Sequence, residues 1–406
     1  MKALICGAGI AGLALARRLT GHGWQVTVVE KAPEPRRQGY MIDFFGPGYD
    51  AAEPMGLLPR LHELGYQVEE MCYLDDDGRR QAGIDYARFA RAVNGRLVSI
   101  MRPDLEHALR EQVTADVDLR FGCALTRIDN APEGVRVTFA DGSVLDADLL
   151  VGADGIHSTV RRLTFGPERD FVRHLGFHTA AYVFTDPGIH TLLGNRFCLT
   201  DTTGAQMGFY GLRDGRVAAF TVHRTSDPAL PDDPRRAVRD AYASLGWIAP
   251  QALAACPEPA EIYYDQVAQV VAPRWSSRRV VLLGDSCQAV SLLAGQGASL
   301  AVAGAYLLGE LLATSDSITT ALTAYERRWR PVIADKQRAA RRGAQWFLPA
   351  SKSRLRVRRL ALRLANLPGL AAFFGTAFAG KSSATIEALS AHDRDPGQRT
   401  ASTSRR

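Results

Sequence analysis

Two stretches of this 406-residue chain put chemistry-bearing residues where a strand should end. Residues 280–297 read VVLLGDSCQAVSLLAGQG and contain one charge, Asp285. Four apolar residues precede it and read as a buried strand, so the carboxylate arrives at a sheet edge. There it is costly to keep unless donors meet it. The second stretch, residues 1–12, reads MKALICGAGIAG, a short apolar strand running into GxGxxG, with Leu13, Leu15, Ala16 and Leu19 in helical period behind it. Gly7 allows the tight turn, Gly9 lets a pyrophosphate approach the backbone, and Gly12 lets helix and strand pack closely. Ile10 and Ala11 open that helix, whose N-terminus offers free N–H groups and a positive dipole end. Residues 25–30 form a second strand ending in Glu30, followed by Lys31. An acid about twenty residues past the glycines is placed to accept hydrogen bonds from a ribose. The pattern implies dinucleotide binding. Glu30 alone does not separate NAD from FAD.

The surrounding elements must hold these residues in place. A chain of this length and 46% hydrophobic content can bury a large core, as two domains or one discontinuous unit. Its six cysteines are scattered, with no CxxC pair and no histidine at metal-ligand spacing. The expectation is a reducing, cytoplasmic setting with no metal and no export signal. Net charge is +6, yet residues 344–406 carry eleven Lys/Arg against three Asp/Glu, which exceeds the whole excess. A nucleic-acid binder spreads basic residues over its folded surface, so nucleic acid is not an expected partner. The uncharged run 286–309 is long enough for a membrane span, but its glycines, glutamines and serines argue for a loop and then a buried helix.

Three further segments resemble the class A flavoprotein aromatic hydroxylases, the monooxygenases built like p-hydroxybenzoate hydroxylase. Residues 99–109, SIMRPDLEHAL, resemble the family's helix start in which an arginine, here Arg102, reaches the FAD. Residues 148–161, DLLVGADGIHSTVR, are similar to its DG motif, which makes Asp154 and Arg161 candidates for the nicotinamide and Asp154 also for FAD. The stretch around Asp285 resembles its GD motif, in which the aspartate binds ribityl or ribose hydroxyls. The resemblance covers residues 1–340, with the motifs in the family's order. Residues 38–43, QGYMID, with Gly56-Leu57-Leu58 beyond, also resemble a loop of the tetracycline-inactivating members, which puts Asp43 near flavin or substrate.

The resemblance implies an α/β fold: a Rossmann-type FAD-binding domain, an inserted and mainly antiparallel β-sheet substrate domain, and C-terminal helices. The FAD-binding parts are expected at 1–67, 98–170 and 274–330, and the substrate parts at 68–97 and 171–273. A helical segment over 331–389 and a disordered tail over 390–406 complete the chain. A polyol supplies the donors that Asp285 asks for. Gly295-Gln296-Gly297 and Ala298 open a helix whose N-terminus would face the flavin where negative charge gathers on reduction. The family's GDAAH and later proline are replaced here by Gly284-Asp-Ser286-Cys287-Gln288 and Leu292. Roles of that histidine and proline therefore do not carry over.

Residues 206–210 and 217–223 alternate in apolar character around an Arg213-Asp-Gly-Arg216 hairpin signal. Tyr182, Phe184, Met207, Phe209 and His223 are candidates for the substrate face, with sheet core as the bland alternative. No catalytic dyad stands out. In the family the oxidant is the C4a-hydroperoxide of the flavin, made with NAD(P)H and O2, so the protein supplies placement and a dry cavity. The implied function is hydroxylation of an aromatic or polyketide-like small molecule. A reductase without oxygen insertion and a non-catalytic flavin protein are the alternatives, and the WxWxIP signature of flavin halogenases is absent. The basic amphipathic stretch 354–364 reads first as a helix strapping the domains, and second as a membrane-surface contact. No second dinucleotide-binding turn is visible, so NAD(P)H should meet the flavin transiently.

Overall fold

The computed structural model describes residues 1–365 except 37, 114, 115, 293 and 294, and of 344, 345, 364 and 365 only the backbone. The tail expected at 390–406 lies outside the described residues. Strand Lys2–Cys6 buries Ala3, Leu4, Ile5 and Cys6 in succession, the two-faced apolar run that the middle of a parallel sheet requires. It pairs in parallel with Gln25–Val29 and with Leu149–Gly152. Val117–Arg120 and Val280–Leu282 extend the parallel set, and Ser276–Ser277 adds an antiparallel edge to make six strands. Helices Ile10–Gly21 and Gly297–Thr314 pack on this sheet and on each other. The second has the length and composition of a membrane span, but Leu300, Ala303, Ala305, Leu307 and Leu308 are core residues.

A second sheet has seven strands, in the order Tyr263–Val270, Val172–Phe184, Val217–Arg224, Ala205–Gly211, Arg196–Asp201, Glu70–Leu74 and Arg80–Asp85. All pairings are antiparallel except that of Arg196–Asp201 with Glu70–Leu74. Through that parallel seam the hairpin from early in the chain joins the later strands. Helices Pro234–Tyr242 and Ala249–Ala254 cover one face, and the other face looks toward the six-stranded sheet.

This arrangement corrects one expectation. Tyr182, Phe184, Met207 and Phe209 are buried with Val238, Tyr242 and Ile248 beneath the covering helices, and the His223 Nδ1 lies 3.0 Å from the Tyr242 hydroxyl. All five belong to the helix-covered face. Side chains alternate along a strand, so their neighbours Tyr210 and Phe220 point the other way.

The long helix Ile318–Phe347 runs through the boundary expected at 330/331, with Pro331 inside it. Its Gln337 Nε2 donates to the carbonyls of Val270 (2.7 Å) and Ala289 (2.9 Å), tying the end of the seven-stranded sheet to the segment after Asp285. The strapping role expected of 354–364 thus falls to Gln337. Helix Lys352–Ala365 instead docks on the seven-stranded sheet, with Leu362 among Tyr73, Ala82 and Leu199.

Candidate active site

Along the carboxyl ends of the parallel strands lie two cavities of about 150 and 180 Å³ that share Gly9, Arg102, Ala153 and Gly155 in their walls. The first reaches from Gly7 and Gly9 past Glu30, Lys31 and Arg36 to Asp154. The second runs from Ile10 and Ala11 past Asp285 to Gly295, Gly297 and Ala298, with Tyr40, Tyr263 and Asp265 opposite. The glycines have local reasons. Gly7 has φ +108°, and a Cβ there would stand 2.4 Å from the Ala153 carbonyl oxygen; one at Gly12 would stand 2.0 Å from that of Gly7. Glu30 accepts from the amides of Ala8 (3.1 Å) and Ala32 (2.9 Å), which fixes the glycine turn against the end of the second strand.

The charges are arranged across the shared wall. Arg102 Nη1 donates to Glu106 one helical turn on, at 2.5 Å. Asp285 opens into the second cavity and accepts no hydrogen bond from the described residues. Its side chain is exposed to that cavity, yet the protein packed around it raises the carboxyl above the ordinary range, first by partial desolvation, with Arg102 opposing and Asp265 adding to the rise. Such a group fits a ligand that brings hydroxyl donors. Desolvation also raises the Tyr40 and Tyr263 phenols above their ordinary value, and their rings lie 5.7 Å apart, with Tyr40 5.5 Å from Phe220. His157 bridges the two sheets, with Nε2 3.2 Å from Asp265 and Nδ1 3.0 Å from Glu168. The Asp265 hydrogen bond leads in pushing this imidazole up to about 9, against burial, with Glu168 contributing.

Of the residues singled out in the sequence, Gly7, Gly9, Ile10, Ala11, Glu30, Lys31, Arg102, Asp154, Asp285, Gly295, Gly297 and Ala298 line the two cavities. Gly12 and Gln296 stand behind the walls, Gln296 capping the helix Gly297–Thr314. Asp154 spends its carboxylate on Ser158 Oγ (2.5 Å) and the Val160 amide (3.0 Å). One expectation is corrected. Arg161 is fully buried and donates to the carbonyls of Ser286 (2.8 Å) and Ile156 (2.6 Å), so it braces the Asp285 turn and lines neither cavity. Asp43 stands just behind the second cavity, accepting from the hydroxyls of Tyr86 (2.6 Å) and Ser99 (2.7 Å), while its neighbour Ile42 lines it.

Five site residues escaped sequence reasoning: Tyr40, Glu106, His157, Tyr263 and Asp265. Only Glu106 carried a local signal, its four-residue spacing from Arg102 at a helix start. Gln288, where the family pattern has histidine, has a structural role of its own. Gln288 accepts from Trp329 Nε1 (2.8 Å) and donates to the Leu300 carbonyl (3.2 Å), while Ser286 Oγ donates to the Gly152 carbonyl (2.6 Å). The turn after Asp285 is thereby tied to three neighbouring elements, and Cys287 is a small buried residue within it.

The family model described as FAD binding domain matches residues 1–340. An uncharacterized protein of Mycobacterium tuberculosis (strain ATCC 25618 / H37Rv) is 33% identical over 347 residues, covering 82% of this chain and 91% of the relative. A flavin-dependent monooxygenase of Legionella longbeachae is 29% identical over 343 residues, covering 83% and 87%. Among solved structures, tetracycline destructase Tet(55) superposes with a TM-score of 0.77 at 26% identity, covering 90% of this chain and 96% of its own. Klebsiella pneumoniae HpxO, complexed with FAD and uric acid, gives 0.77 at 24% identity, covering 93% and 96%, a likeness of fold. The paired cavities, the Arg102 helix start, the DG and GD turns and these matches agree: the chain belongs to the FAD-binding-domain family of flavin-dependent monooxygenases, the class A hydroxylases.

Proposed function

We propose that the chain is an NAD(P)H-dependent FAD monooxygenase that hydroxylates an aromatic or polyketide-like small molecule. Two adjoining cavities with a shared wall at Gly9 and Arg102 carry this reading: the first holds Glu30, and the second holds Asp285 and Gly297 with Tyr40 and Tyr263 opposite. The residues present fit FAD along that course. Glu30 and Lys31 would hold the adenosine end, and the helix N-terminus after Gly9 with Arg102 the pyrophosphate. Asp285 would accept from the polyol, which supplies the donors it lacks. The N-terminus of Gly297–Thr314 would set N–H groups and positive dipole against the ring system.

FAD, when bound, supplies electron transfer and oxygen activation, and the chain supplies the setting. Tyr40, Tyr263 and Phe220 form an aromatic wall that keeps water from the cleft and presents flat surface to a planar substrate. The His157–Asp265 pair closes the gap between the two sheets beside that wall. NAD(P)H would meet the flavin transiently from the Gly155 side, since Arg161 is occupied in bracing. The test is rapid mixing of the FAD-loaded protein with NADH or NADPH, with and without candidate phenols, followed by mass analysis under labelled O2. The proposal expects substrate to accelerate flavin reduction at least about tenfold, a gate worth about 1.4 kcal/mol, and one labelled oxygen in the product. Turnover without label would make the protein a reductase.

A further inference from the structure

We propose that Cys72 and Cys198 form a peroxide-oxidisable dithiol whose disulfide fastens the edge hairpin, Glu70–Leu74 with Arg80–Asp85, to the rest of the seven-stranded sheet. The two cysteines are direct partners across the parallel seam between Glu70–Leu74 and Arg196–Asp201, and their Sγ atoms stand 3.3 Å apart. Neighbouring strands lie about 4.8 Å apart. That falls within the roughly 4.4–6.8 Å Cα separation of disulfides, so closure needs a side-chain turn and little backbone movement. No other pair among the described cysteines makes a sulfur–sulfur contact.

The position gives the bond a mechanical effect. Within the sheet, Glu70–Leu74 touches only Arg80–Asp85 and Arg196–Asp201, so one strand pairing between residues 126 positions apart in sequence joins the hairpin to the sheet, with helix Lys352–Ala365 packed on its other face. Both thiols face the covered side among Leu74, Phe209 and Leu245, away from the cleft. An edge hairpin opens more readily than a central strand, which admits a molecule as small as peroxide.

The thiols share one hydrogen bond, in which either sulfur can donate. The sulfur that accepts it is the one favoured as thiolate, and the sequence of steps is the same whichever attacks first. With Cys72 attacking, its sulfur takes one oxygen of hydrogen peroxide and displaces hydroxide, giving a sulfenic acid. The Cys198 sulfur then attacks that sulfur; the S–S bond forms as the S–O bond breaks, and water leaves with the thiol proton. In sum, two thiols and one peroxide become one disulfide and two waters, with two electrons passing from sulfur to oxygen. Added peroxide suffices, so the inference does not rest on the flavin reading.

The experiment treats the reduced full chain with hydrogen peroxide, blocks remaining thiols under denaturing conditions, and maps peptides by mass without reduction. The expected result is a cross-linked peptide pair carrying Cys72 and Cys198, lighter by two hydrogens than its parts and absent from Cys198→Ser. The oxidised chain should also show a higher Tm than the reduced chain, with no such shift in Cys72→Ala. Cys123, which is partly exposed, serves as the reference thiol. If Cys123 is oxidised while Cys72 and Cys198 are recovered blocked, or if Cys72 ends as sulfinic acid without a link, the proposal is overturned.

Discussion

Replacing Asp201 by Asn should release the helix Lys352–Ala365 from the sheet without unfolding the rest. Asp201 is fully buried, and two arginines of that helix converge on it: Arg358, also buried, and Arg359 at 2.9 Å. Arg358 further donates to the Phe347 carbonyl at 2.7 Å and lies 4.4 Å over the Tyr73 ring. Removing one partner of a buried pair costs about 3–5 kcal/mol, because the remaining charge stays in a poor solvent. Asn keeps an acceptor, so the lower end applies. The helix lies late in the chain and buries one large apolar residue, Leu362, so the strain relaxes by undocking. About 3 kcal/mol multiplies the undocked population by about 150. Native-state trypsin cleavage at the exposed Arg354, Arg356 and Arg363 reads that population when reclosing is fast. The expected outcome is cleavage about a hundredfold faster in Asp201→Asn and, at Arg354 and Arg363, unchanged in Arg356→Gln, with the main melting transition nearly unmoved. Equal cleavage of wild type and Asp201→Asn would refute the claim that this ion pair docks the helix.

Gly12→Ala should abolish FAD retention or folding, since its Cβ would fall 2.0 Å from the Gly7 carbonyl oxygen; soluble yield and flavin absorbance report it. His223 is lowered to about 4 by burial and by His178, so the native state binds fewer protons than the unfolded chain between that value and 6.5. Stability is therefore lost as pH falls from 6.5 toward 4, by about 2 kcal/mol after allowing for solvent screening. His223→Gln should flatten Tm against pH in that window. His157 has the opposite sign: raised to about 9, it contributes below 6.5 and is lost as pH rises through 9. Its partial exposure limits that to about 1 kcal/mol, and Asp265→Asn should bring the imidazole titration, followed by NMR, down toward its ordinary value.

The sequence was most legible where a residue's reason is local. Gly7 and Gly12 are required by the carbonyl beside them, and Glu30 by the amides of Ala8 and Ala32. Asp285 was readable because a lone carboxylate delivered to a sheet edge by four apolar residues needs donors that the strand itself does not supply. The substrate face was not legible, because both faces of the seven-stranded sheet are covered. Period two says that Met207 and Phe209 share a side, but not whether helices or the cleft lie there. Tyr210 and Phe220 are equally apolar in pattern. His157 and Asp265 meet across 108 residues, a contact made by the docking of two sheets, with no local signal. Arg161 had a plausible role by resemblance, yet it is spent on neighbours that only the fold supplies.

The central claim is that FAD occupies the paired cavities with its polyol on Asp285. Titration of cofactor-free protein with FAD, followed by flavin fluorescence, tests it most directly in wild type and Asp285→Ala. Loss of hydrogen bonds worth about 1.5–3 kcal/mol each predicts saturable binding of one FAD per chain in the wild type. In the variant it predicts affinity weaker by at least about tenfold with the fold intact. Equal affinity in the two proteins, or no FAD binding by a folded wild type, would contradict the account.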